Sequence, residues 1–105
     1  MNVKQFNSKL KIEELLAEID KIEKSFSLVE NEQVQTIREH KAMFYYRIVI
    51  AISKQINKEC KVLGQKLFAK DKLKVKNLQN KLLKNCSEEY QHEVAENRED
   101  CVIID

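Results

Sequence analysis

An all-α, antiparallel up-down-up three-helix bundle is the architecture this sequence predicts, and three observations predict it. Proline is absent and glycine occurs once, at Gly64, so the tight turns of sandwiches and barrels have no residues to make them. Apolar residues recur at steps of three and four through most of the 105 residues, the spacing that gathers side chains on one helix face. The pattern loses its register near Asn31 and again past Gly64. It therefore falls into three amphipathic segments, and short links between them make antiparallel neighbours.

The first segment reads as a helix near 9–30. Its stripe is Ile12, Leu15, Leu16, Ile19, Ile22, Phe26 and Val29. Asn7 or Ser8 can cap its start, and Glu13, Glu14 and Glu18 complement the positive helix end. Continuing the same register meets Gln33, Thr36, His40, Met43 and Arg47, of which four are polar. One seam cannot bury these cheaply, so the helix ends in a tight turn around Glu30–Glu32, with Asn31 as cap.

The second helix, near 33–66, follows Val34, Ile37, Phe44, Ile48, Ala51, Ile52, Ile56, Val62, Leu63 and Leu67. Met43–Ile52 is rich in β-branched and aromatic residues and read alone resembles a strand. The helical period runs through it on both sides, and periodicity over a long window outranks propensity. Gly64 suits a kink or an early helix end. The third helix, near 71–97, opens at Asp71 and carries Val75, Leu78, Leu82, Cys86, Tyr90 and Val94. The expected core includes Ile19, Phe44, Ile48, Ile52, Leu78 and Leu82. Residues 1–98 read as a single domain, and 99–105 as a mobile tail or the start of a linker.

Little here suggests catalysis. With 43% hydrophobic and 34% charged residues the chain is too apolar for disorder, and one glycine excludes phosphate-cradling loops. His40 and His92, expected on helix surfaces, have no nucleophile at helical spacing. Glu89-Tyr90-Gln91-His92 matches the E-x-x-H element of di-metal bundles once, without the second copy such a site needs. Glu88, Glu89, Glu93 and Glu96 read instead as a solvated acidic face. Cys60, Cys86 and Cys101 lack metal-ligand spacing and read as reduced thiols, two of them small core residues. No enzyme, cofactor or metal is expected. The first residues have no apolar signal core, and no apolar run approaches the ~20 residues of a membrane span, so the expected location is cytoplasmic.

Interaction is the better expectation. Met43, Tyr46 and Ile50 lie outside the expected core arc at i, i+3 and i+7, a patch on which a fourth helix, the domain's own or a partner's, is expected to lie. Lys70, Lys72, Lys74, Lys76, Lys81 and Lys84 form a basic run spread over several helix faces, and a solvated face is its plainest reading. The tail from Glu99 to Asp105, acidic and then apolar, looks like a SUMO-binding strand or a cut linker.

Two stretches carry a family resemblance: ISKQINKEC from Ile52 to Cys60, and VKNLQNKLLKNCSEEYQHEVAENRE from Val75 to Glu99. They resemble the N-terminal regulatory (Habc) domain of syntaxin-type SNARE proteins. The second stretch looks like the last regulatory helix of endosomal syntaxins, including its Tyr-Gln and Asn-Arg-Glu ending. The resemblance implies a non-catalytic regulator of vesicle trafficking and membrane fusion. Such a bundle holds an amphipathic SNARE-type helix in cis or in trans in a surface groove, and recruits SM-type regulatory proteins or tethers. It also implies the cytosolic face of an endomembrane, if the chain belongs to a longer anchored protein. The sequence departs from the family in lacking the SNARE heptad helix, a membrane anchor and a recognisable SM-binding peptide. A free-standing helical adaptor or coiled-coil subunit of a complex is the alternative.

Charge is segregated along the chain. Glu32–Lys70 holds eight basic residues against three acidic ones, Asp71–Cys86 five against one, and Ser87–Asp105 one against seven. In an up-down-up bundle the lysines gather where the second helix meets the third, with Lys9 and Lys11. The acids gather at the opposite end near Glu30, Glu32 and Glu39. A weak, salt-sensitive contact with anionic membranes is expected at the basic pole. The mild pI of about 8.4 makes nucleic acid an unexpected partner.

Overall fold

The computed structural model describes residues 1–97. They form four helices: α1 (Val3–Glu30), α2 (Gln35–Leu63), α3 (Ala69–Lys84) and α4 (Glu88–Glu96). The described residues contain helices and connecting turns but no strand, so the all-α class stands. Met43–Ile52 is helical throughout.

Helix α1 is capped at Asn2, five or six residues before the expected Asn7 or Ser8. A capping box at Asn2 and Gln5 sets the start: the Asn2 side chain accepts from Gln5 N at 2.8 Å, and Asn2 N donates to Gln5 Oε1 at 3.2 Å. The helix ends at Asn31, whose N–H donates to Ser27 O. Glu32 fixes the turn that follows. Its carboxylate accepts from Lys41 Nζ at 3.0 Å and from Val34 N at 3.3 Å, and its carbonyl accepts from Arg38 Nη1 at 3.0 Å. Glu32 is therefore held below the ordinary carboxylate pKa, mainly by the Lys41 hydrogen bond.

Helix α2 stops at Gly64 rather than near residue 66. Gly64 has φ +66°; its N–H donates to Lys61 O, and Gln65 N donates to Cys60 O. This is a Schellman cap, and the left-handed conformation is the reason glycine stands there.

Four helices replace the expected three because the third segment breaks at Asn85–Ser87. Asn85 Nδ2 donates to Lys81 O at 2.9 Å and Gln91 Nε2 to Cys86 O at 2.9 Å, so the carbonyls on either side of the break are satisfied. Ser87 caps α4 by accepting from Tyr90 N at 3.2 Å.

Contacts give the directions. Glu59, late in α2, meets Lys11, early in α1, at 3.9 Å, so α1 and α2 form an antiparallel hairpin. Helix α3 returns along α2, with Gln79 donating to Ser53 at 2.8 Å, and is tied to α1 by the ion pair Lys74–Asp20. Helix α4 reverses again and runs beside α2 in the same direction. Tyr90 faces Tyr46 and Arg47, while Glu93, Val94 and Asn97 flank Ile50, Ala51 and Lys54.

Of the expected core, Ile19, Leu78 and Leu82 are buried, Ile48 and Ile52 are half-buried, and Phe44 is 61% exposed. The stripe expected for α1 is buried or packed against the core throughout. In α2 the buried line is Ala42, Tyr46, Val49, Ser53, Ile56 and Cys60, about one residue, or ~100°, round from the expected stripe. This line alternates steps of four and three, as the seam of an antiparallel helix pair does. Its small members allow close approach, and the Ser53 hydroxyl is satisfied, since Ser53 Oγ donates to Val49 O at 2.7 Å.

Candidate partner-binding surface

Rotation of the α2 seam turns the expected patch inward, where a fourth helix meets it. Tyr46 and Ile50 are 4% and 7% exposed, and Met43 is half-buried against the core. The helix that covers them is the chain's own α4. The rings of Tyr46 and Tyr90 meet edge to face at 6.0 Å between centroids, and Arg47 lies 5.8 Å from the Tyr90 ring centre. Tyr46 and Ile50 belong to the interior and to the floor of an α2–α4 groove whose rim carries Arg47, Lys54 and Glu93.

What α2 turns outward is part of the stripe expected to be core. Ile37, Phe44 and Ala51 are exposed at steps of seven, with half-buried Ile48 beside them. Phe44 stacks edge to face on its neighbour Tyr45 at 5.6 Å. Arg47, Lys54 and Lys58 stand exposed beside this line. The acids of α2 are already engaged or turned inward. Glu59 is buried, and Glu39 is half-buried and accepts from Gln35 Nε2 at 2.8 Å. The outward face of α2 is therefore apolar and basic.

A polar cluster joins α1 to α2 inside the hairpin. Glu59 is buried with Ser8; it accepts from Gln55 Nε2 at 3.0 Å and has Lys11 Nζ at 3.9 Å. Its pKa is lowered, chiefly by the Ser8 hydrogen bond, with Lys11, Gln55 and Lys58 adding to it and desolvation opposing. The cluster satisfies a buried charge and holds the register of the two helices.

Cys60 and Cys86 are buried and free. Burial raises both thiol pKa values, that of Cys86 to about 11 with help from Glu39, so neither is a reactive thiolate. Cys101 and the proposed SUMO-binding tail lie outside the described residues. His40 and His92 are exposed. Among the described residues no group of three or more His, Cys, Asp or Glu is placed to hold a metal, and no helix is long and apolar enough to cross a membrane.

The charge segregation is altered by the α4 reversal. Glu88 remains at the end with Glu30 and Glu39, but Arg38 and Lys84 join them there. Glu93 is carried back beside Lys54. The expected acidic pole is thus mixed. The lysine pole keeps its place, because the α2–α3 link and the start of α1 share one end.

Comparison with protein-family models, curated proteins and solved structures finds no match. Of the two stretches quoted above, Ile52–Cys60 lies within α2, and the other runs from Val75 in α3 through α4, with Arg98 and Glu99 outside the described residues.

Proposed function

We propose that this chain is a non-catalytic interaction domain that holds an acidic amphipathic helix along the outer face of α2. The syntaxin-type regulatory domains it resembles hold a SNARE-type helix, in cis or in trans, in a surface groove; here the helix lies instead along the exposed line of α2. The observation that carries the reading is the exposed line Ile37–Phe44–Ala51 beside Arg47, Lys54 and Lys58. A helix with an apolar stripe buries that line, and acidic residues flanking its stripe meet the bases. Pairing two copies through this face would set like charges opposite one another, so a different helix fits better than a second copy. Withholding a fusion helix in a closed state, and releasing it when SM-type proteins or tethers shift the population, is the role this predicts in vesicle trafficking.

The test is binding of a synthetic SNARE-type heptad peptide to the full chain, followed by calorimetry. Phe44→Asp is expected to weaken binding about tenfold or more while leaving the melting temperature nearly unchanged, since Phe44 is exposed. Equal binding by Phe44→Asp and the unsubstituted chain would remove this face from the proposal.

A further inference from the structure

The end of the molecule where α2 passes to α3 is its most lysine-rich region. Residues 1–11 and 60–72 together hold Lys4, Lys9, Lys11, Lys61, Lys66, Lys70 and Lys72 against one acid, Asp71. Contact between Ser8, Lys11 and Glu59 brings these two stretches to one end of the hairpin. The same end carries large apolar side chains in water: Val3 and Phe6 on the first turns of α1, and Phe68 in the α2–α3 link at 80% exposure.

Phe68 breaks a local rule. It occupies the N-cap of α3 and makes no side-chain cap hydrogen bond, where Ser, Asp or Asn would stabilise the helix. The residue before it, Leu67, packs against the core, so the link is held while Phe68 points out. A side chain that lowers helix stability and gains no packing calls for a use outside the fold.

We propose that this end is a membrane-contact tip, in which Phe68, with Phe6 and Val3, enters the acyl-headgroup boundary of an anionic bilayer while the surrounding lysines meet lipid headgroups. Aromatic side chains ringed by lysine are what a bilayer interface recognises. The exposed side chains project from a link and a helix start, which a fluid surface accommodates without a matching shape. This inference is independent of helix docking on α2, whose apolar face is made of other residues.

The chain has no tryptophan, so Phe68→Trp in the full chain gives a single reporter. Vesicles of phosphatidylcholine with phosphatidylserine are expected to shift its emission to the blue. Pure phosphatidylcholine vesicles and the soluble polyanion heparin are expected to leave it unchanged. Phe68→Ser supplies the missing cap, so its melting temperature is expected to rise, while its partition onto the anionic vesicles falls about tenfold or more. No blue shift on anionic vesicles at low salt, an equal shift with heparin, or undiminished partition of Phe68→Ser would each overturn the proposal.

Discussion

Glu59 is a carboxylate inside a helical hairpin, and its partners fix the sign of its pH dependence. Its folded-state pKa lies below the ordinary 4.5. Its stabilisation is therefore complete above that value and is lost as pH falls through the folded-state pKa. Glu59→Gln is expected to cost about 1.5–3 kcal/mol near neutral pH, the range for hydrogen bonds to a charged group. The gap between the two proteins should close in strong acid, as read by urea unfolding at both conditions; a gap independent of pH would contradict the assignment. Tyr46 and Phe44 form a second residue-scale contrast. Tyr46→Ala should cost about 3–5 kcal/mol, as for other large buried aromatics, and Phe44→Ala should stay within about 0.5 kcal/mol, as for surface substitutions. Reversal of that order in thermal melts would return α2 to the rotation its sequence suggests. The reason that rotation misleads is plain at residue level. Its seam includes Ala42, Ser53 and Cys60, while Ile37 and Phe44 stand outside. A reading that weights large apolar side chains follows the wrong edge of a wide apolar arc. In α1 nearly every seam position is a large apolar residue, and the stripe is legible.

At the scale of elements, the break between α3 and α4 resolves a conflict in the charge pattern. As one helix, residues 71–97 would place lysines at the start and glutamates at the end, against the helix dipole. As two helices, Lys81 and Lys84 fall in the last turn of α3, and Glu88 and Glu89 in the first turn of α4. Both placements favour the dipole. Asn85 and Ser87 supply the caps, so the sequence carried the signal, but the apolar stripe through Cys86, Tyr90 and Val94 masked it. That stripe survives the break because the returning helix folds the same residues onto α2. Ser87→Ala is expected to cost about 1 kcal/mol and to speed amide exchange in α4 before α1 or α2. Gly64→Ala should cost about 1–2 kcal/mol through the left-handed cap alone, since a Cβ there meets nothing within 4 Å. Uniform loss of protection for Ser87→Ala would mean that α4 is not a separate cooperative unit.

For the whole molecule, the described helices place two differently built surfaces on one frame. The outer face of α2 runs along the molecule and is apolar with a basic edge. The tip at the α2–α3 link is lysine-rich with protruding Phe68. The all-α class and the lysine pole were legible from composition and charge order, because neither depends on which way a helix is rotated. The face that α2 turns outward was not, because rotation decides it. The central claim, that α2 offers its outer face to an acidic amphipathic helix, is tested most directly by an NMR titration of the labelled full chain with a SNARE-type heptad peptide. The account predicts shift changes concentrated at Ile37, Phe44, Ile48 and Ala51, with Arg47 and Lys54 beside them. Changes confined to Tyr46, Ile50, Tyr90 and Val94, or no changes at saturating peptide, would contradict it.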